Sequence, residues 1–159
     1  GVPKYDLPRK MFGVFPHTTA NPKETLLRGF NDVVYIPHSR HTEVRRSDIE
    51  KVEDLEIILE SDEAGVCTVI APRWRQIFVT GHWEYDADTL AAEYFRDVDK
   101  GLPINIPANY FPGNNPACPP QVSWRANSHL FFSNWLNHYV YQETPYDLND
   151  LEPLPLVKK

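Results

Sequence analysis

Apolar and β-branched residues fall in short runs along the first half of the chain, each stopped by a turn-forming residue, a pattern of strands rather than helices. Met11-Phe12-Gly13-Val14-Phe15 ahead of Pro16, and Val33-Val34-Tyr35-Ile36 ahead of Pro37, predict two short strands. Leu55-Glu56-Ile57-Ile58-Leu59, Val66-Cys67-Thr68-Val69-Ile70 and Gln76-Ile77-Phe78-Val79-Thr80 predict three more, neighbours in one sheet. Ser47-Asp48-Ile49-Glu50 has capping-box spacing, so a brief helix is expected from Ser47. The period then changes: Leu90, Ala91, Tyr94, Phe95 and Val98 recur at helical spacing over 86–100, with Gly101 as the stop. A last helix is expected over 123–141, capped by Ser123, with Leu130, Phe131, Trp135, Leu136, Tyr139 and Val140 as a broad apolar stripe. Between these helices, 101–120 is rich in proline and asparagine and reads as a long structured loop pinned to the body by Tyr110-Phe111.

Composition bounds this picture. The 159 residues are 42% hydrophobic and 13% aromatic, enough for one core, and with no linker or repeat they read as a single unit over 1–159. No run approaches the length of a membrane span and residues 1–10 lack a signal-peptide stretch, so a soluble protein is expected. A net charge of −6 with interspersed charges argues against a nucleic-acid binder. Only Cys67 and Cys118 are present and no CxxC occurs, so a reducing compartment, the cytoplasm, is the expected location. The opening Gly1-Val2-Pro3-Lys4 is unlike a translation start, which points to a processed or truncated chain.

The chemistry gathers at strand ends. Val79-Thr80-Gly81-His82-Trp83-Glu84 places an imidazole just past an apolar strand, where α/β sheets line ligand crevices, with a carboxylate two residues on. Glu84 can hydrogen-bond one ring nitrogen of His82 and fix its tautomer, two members of a catalytic triad; the alternative is an ordinary hydrogen-bonded loop histidine. His38-Ser39-Arg40-His41 offers two imidazoles, a hydroxyl and a guanidinium, which read as a polar binding loop. Its His-x-x-His spacing lacks a third ligand, so no metal is expected, and Ser39 lacks the elbow of a nucleophile. Arg96 can point a fork at a carboxylate or stay solvated. Mid-strand Cys67 reads as inert packing, and Cys118 lies in a proline-rich loop with nothing nearby to activate it.

The collinear segments Gly1-Val2-Pro3-Lys4, Arg28-Gly29-Phe30, Pro37-His38-Ser39-Arg40, Phe78-Val79-Thr80-Gly81-His82 and Glu84-Tyr85-Asp86 resemble the bacterial homoserine O-acyltransferases of the homoserine transsuccinylase type. So do Phe95-Arg96-Asp97-Val98, Asn109-Tyr110-Phe111-Pro112, Ser123-Trp124-Arg125, Asn134-Trp135-Leu136-Asn137 and the stretch 139–148. The resemblance implies an α/β fold like the class I glutamine amidotransferases, a mostly parallel sheet flanked by helices, of which this chain is the C-terminal half. It implies acetyl or succinyl transfer from acyl-CoA to the hydroxyl of L-homoserine, in methionine biosynthesis, by a Cys/His/Glu ping-pong mechanism. His82 and Glu84 fall on the catalytic pair, and Lys10, Ser39 and Arg96 on the homoserine contacts. No cofactor is implied beyond acetyl-CoA or succinyl-CoA as co-substrate. The partners implied are the N-terminal half of the same enzyme, which carries the nucleophilic cysteine, and a second copy in a homodimer. Trp83 stands where such proteins often have proline. The chain alone is expected to be inactive, and two other readings stand beside this one. One is an amidotransferase-like acyl transferase or hydrolase, the other a nucleophile-less homoserine-binding module.

Overall fold

Five strands form one sheet in the computed structural model, which describes residues 1–142 and Asp147. They are β1 (Tyr5–Thr19), β2 (Val33–Glu43), β3 (Glu56–Ser61), β4 (Gly65–Ala71) and β5 (Gln76–Val79), in the spatial order β2-β1-β3-β4-β5. Three helices follow the predicted periods: α1 (Arg46–Ile49), α2 (Thr89–Asp99) and α3 (Arg125–Asn134), the last running on into π-helical turns over Trp135–Tyr141. Of the stretch 139–148, residues 143–146 and 148 lie outside the described residues, as do 149–159.

The expected mostly parallel sheet is corrected here, because every strand pairing among the described residues is antiparallel. Parallel neighbours need a crossover of a dozen or more residues, whereas residues 62–64 and 72–75 join β3 to β4 and β4 to β5 directly. The prolines read as strand stops are also crossed. Pro37 lies on edge strand β2, and Pro16 lies where β1 pairs only with β2, since β1 meets β3 only at Thr18 and Thr19, so neither missing N–H breaks the sheet. The capping box at Ser47 does not form: α1 starts one residue earlier, behind Arg45, with no side-chain cap.

Register sorts the two faces. Val34 and Ile36 of β2 share one face with Ile58 of β3 and with Cys67 and Ile70 of β4, covered by Phe131 of α3 and by Trp83. Phe12 and Val14 of β1 lie on the opposite face, covered by Leu90 of α2, Tyr110, Phe111 and Trp124. The predicted pinning of the long loop by Tyr110 and Phe111 is seen as full burial of both rings. A backbone bridge joins Gly13 to Ala108, with Val14 N–H donating to the Ala108 carbonyl at 2.8 Å. Gly13 is required there: its φ is +143°, and a Cβ would lie 2.4 Å from the Ala108 nitrogen.

Candidate active site

His82 is carried just past the end of β5 and tied to the sheet by its neighbours. Thr80 N–H donates to the Cys67 carbonyl at 2.8 Å, Thr80 Oγ1 donates to the Val66 carbonyl at 2.9 Å, and His82 N–H donates to the Pro37 carbonyl at 2.8 Å. Below His82, the start of α3 holds the next turn: Ser128 Oγ donates to the Trp83 carbonyl at 2.6 Å and Trp124 Nε1 to the Tyr85 carbonyl at 2.9 Å. His82 therefore rests on a fixed backbone while its side chain is 32% exposed. His82 Nδ1 lies 2.8 Å from Glu84 Oε1. A carboxylate accepts only, so the Nδ1 proton is directed to Glu84, and Nε2 has no hydrogen-bond partner among the described residues. The His82 ring stacks on Tyr85 at 4.2 Å between centroids and 7° between planes.

Tyr85 connects this pair to a second cluster. Its hydroxyl is hydrogen-bonded with Ser39, and its pKa is raised by burial and by the Glu93 and Glu84 charges. Ser39 Oγ lies 2.9 and 2.8 Å from the two carboxylate oxygens of Glu93, to which it donates. Lys10 Nζ forms a close ion pair with the same Glu93 carboxylate and sits 4.2 Å over the Phe12 ring. Arg96 stands one turn along α2, its guanidinium 3.7 Å from Glu93 Oε1 and 2.7 Å from Asp97 Oδ1. Asp97 is held below the ordinary carboxylate range by that hydrogen bond.

The three residues singled out in sequence as ligand contacts thus come from β1, β2 and α2 and meet on one carboxylate. Glu93 itself was missed. An acid on the polar side of an amphipathic helix reads as a solvated charge, yet Glu93 is only 18% exposed. The one available signal was its i,i+3 spacing to Arg96. Alternation along β2 splits the His38-Ser39-Arg40-His41 loop: Ser39 shares its face with Phe12, while His38 and Arg40 turn to the other face.

On that other face, His38 does not meet His41, which is exposed, but His17 and Cys67; all three are buried, with ligand atoms within 4.8 Å of one another. Their hydrogen bonding opposes a metal. Arg40 Nε donates to His38 Nδ1 at 3.3 Å, so a cation on His38 Nε2 would put a proton on Nδ1 facing another N–H, with a guanidinium beside the ion. Burial lifts the Cys67 thiol to a pKa of about 11, so it is not an activated nucleophile, and Cys118 is a half-buried free thiol in the long proline-rich loop. A separate apolar groove of about 520 Å³, lined by Val2, Val44, Ile49, Leu55, Phe78 and Val79, contains none of the site residues.

The fold defines the class first. A glutamine amidotransferase from Thermotoga maritima superposes with a TM-score of 0.54 at 12% identity, over 89% of this chain and 56% of that one. The crystal structure of SMU.1228c gives 0.60 at 12% identity, over 87% and 56%. The fold is therefore glutamine amidotransferase-like, as expected apart from the direction of its strands. Sequence then sets the family. A profile described as homoserine O-succinyltransferase matches residues 1–146, and the chain belongs to that family. It is 63% identical over 151 residues to a homoserine O-acetyltransferase of Desulfitobacterium hafniense (strain Y51), covering 95% of this chain and 49% of that protein. It is 59% identical over 152 residues to a homoserine O-acetyltransferase of Acetivibrio thermocellus, covering 96% and 50%. The chain spans about half the length of the curated relatives it matches. No helix among the described residues is long and apolar enough to cross a membrane.

Proposed function

We propose that this chain supplies the base and the homoserine pocket of an acyl-CoA-dependent homoserine O-acyltransferase, with the nucleophilic cysteine contributed by the half its relatives carry in addition. The observation that carries this reading is the junction of two clusters through Tyr85: a His82–Glu84 pair with Nε2 free, beside Lys10, Ser39 and Arg96 gathered on Glu93. Homoserine is a zwitterion. Lys10 and Arg96 suit its carboxylate, Glu93 its ammonium, and Ser39 a polar contact between them, so the pocket selects both charges of an amino acid. The bare site keeps its cations neutralised on Glu93, and the ligand's own charges replace part of that pairing.

The reaction runs in two transfers. His82 Nε2 takes the proton of the cysteine thiol, the thiolate attacks the acyl-CoA carbonyl, the bond to the CoA sulfur breaks, and His82 passes that proton to the departing thiolate. His82 then takes the proton of the homoserine γ-hydroxyl as its oxygen attacks the enzyme thioester; the carbon–oxygen bond forms, the carbon–sulfur bond breaks, and the cysteine thiolate is restored. Glu84 holds the Nδ1 tautomer throughout and stabilises the imidazolium whenever His82 carries the transferred proton; between the two transfers the ring is neutral. The names of the relatives favour acetyl as the acyl group. The product is O-acylhomoserine, an activated precursor on the route to methionine, made without a cofactor. The apolar groove with exposed Phe78 and Val79 is the surface on which the companion half rests, and a homodimer and a cytoplasmic location complete the reading.

The test is homoserine-dependent release of CoA thiol by the complete enzyme, meaning this chain joined to that companion half, with acetyl-CoA and succinyl-CoA offered in parallel. The expected result is turnover that requires homoserine and falls by about 10³-fold or more in His82→Ala. Thiol release at the same rate without homoserine would make the protein a hydrolase. Homoserine binding without any turnover would make it a binding module.

A further inference from the structure

Two buried histidines that the proposed chemistry does not use lie directly beneath the His82 loop, and their hydrogen bonds run in one direction only. His17 Nδ1 faces the Phe15 carbonyl at 2.9 Å. A carbonyl only accepts, so the His17 proton is on Nδ1 and its Nε2 is bare. That bare nitrogen is 3.1 Å from His38 Nε2, which must therefore carry the His38 proton. His38 Nδ1 is then bare and takes the Arg40 Nε–H at 3.3 Å, while the rest of the guanidinium donates to the Thr42 and Ala64 carbonyls. Each ring nitrogen is used once, and both rings are neutral. The rings stack at 5.0 Å and 14°.

The His82 loop is seated on this assembly. A Cβ on Gly81 would lie 3.1 Å from His38 Nε2, 3.1 Å from Cys67 Sγ and 2.6 Å from Ile36 Cγ2, so the Gly81 backbone is in contact with all three. Gly81 N–H is hydrogen-bonded to the Cys67 sulfur. The next residue, His82, donates its N–H to Pro37, the neighbour of His38. Two consecutive residues on each side, 37–38 and 81–82, lock the base to the buried chain. An apolar core would fill this volume without the desolvation that three polar side chains bring. What the polar chain adds is one geometry, since each donor has a single acceptor.

We propose that the Arg40–His38–His17 chain, with Cys67, is the bed that sets the His82 loop, so that His38 and His17 are positioning residues for the catalytic base. The inference rests on the reading of His82 as that base. Burial holds His17 at a pKa of about 4 and His38 at about 2, so the chain keeps its direction through the working range of a histidine base. The charged or titratable groups facing the two rings are Arg40, Cys67 and His82.

The test compares His17→Leu with His17→Gln in the complete enzyme. Leucine leaves His38 Nε2–H without an acceptor; kcat is expected to fall about 10-fold or more as the base is misplaced, with the homoserine KM changed less than about 2-fold. Glutamine offers Oε1 in place of the imidazole nitrogen and is expected to recover most of kcat. A wild-type kcat in His17→Leu, or a glutamine variant as impaired as the leucine one, overturns the proposal. Long-range ¹⁵N–¹H spectra of the unmutated enzyme give a reading that no folding defect can mask. The proton is expected on Nδ1 of His17 and Nε2 of His38, both neutral at pH 6–8. A proton on Nδ1 of His38, or one equivalent of zinc in the purified enzyme, overturns it. His82→Ala run in parallel separates the two claims: if that variant turns over normally, the reading of His82 as base has failed; if it is inactive while His17→Leu is unimpaired, only the positioning bed has.

Discussion

Lowering the pH from 7 to 5 loads a proton onto nearly every histidine of the unfolded chain, and in the folded protein His17 and His38 refuse it. Desolvation by burial holds them at about 4 and about 2, against an ordinary 6.5. Below pH 6.5 the unfolded state therefore binds more protons than the native one, and stability falls as pH falls, until each folded pKa is reached. Between pH 7 and 5 each histidine contributes about 2 kcal/mol of loss, and the two together about 4 kcal/mol, a large share of an ordinary domain's 5–15 kcal/mol. Asp48 and Asp97, held low by Lys51 and Arg96, act only below their ordinary 3.8 and leave this window clean. Urea unfolding of the complete enzyme at pH 7, 6 and 5 and constant ionic strength measures the effect, which should move the midpoint by about 2 M for a slope near 2 kcal/mol/M. His17→Gln should remove about half of the pH dependence. A midpoint that stays level from pH 7 to 5, or an acid loss that begins only below pH 4, would refute the reasoning that both rings are buried neutral.

Three substitutions test other parts of the account. Glu93→Gln keeps the hydrogen bond to Ser39 but removes the charge facing Lys10 and Arg96, so the homoserine KM should rise about 10-fold in steady-state assays, with kcat less affected. Gly13→Ala forces a Cβ into the Ala108 backbone at 2.4–2.8 Å and should cost about 3 kcal/mol or more in urea unfolding, because neither backbone can yield without breaking their bridge. Asn134→Leu leaves the Leu26 and Arg28 carbonyls without the donors they have at 3.0 and 2.9 Å, and should cost about 2–3 kcal/mol by the same measure.

Strand positions were legible because β-branched runs between turn residues are a local signal, and each of the five runs lies on an observed strand, although β1 and β2 extend well beyond theirs. Their direction was legible too, in the three residues between β3 and β4, but the family resemblance outweighed that and led to the wrong expectation of a parallel sheet. Proline misled the boundaries: Pro16 and Pro37 stop strands only where the missing N–H faces a partner, which depends on sheet order and not on sequence. At the site, His82 and Glu84 are two residues apart and their pairing could be read directly. Ser39 and Arg96 stood out as ambiguous polar candidates and gained their role from the resemblance, Lys10 came only with it, and their meeting on Glu93 joins positions 83 residues apart in the case of Lys10. His17, His38 and Cys67 come from three strands, and no local pattern announces them.

The most direct measurement is intact-mass and peptide mass spectrometry of the complete enzyme after acyl-CoA is added without homoserine, followed by addition of homoserine. The account predicts one acyl group, carried on a cysteine of the companion half, which disappears as O-acylhomoserine is formed and persists in its absence. An acyl group mapped to Cys67 or Cys118, or product formed with no covalent acyl-enzyme at any time, would contradict the claim that this chain provides the base and the pocket but not the nucleophile.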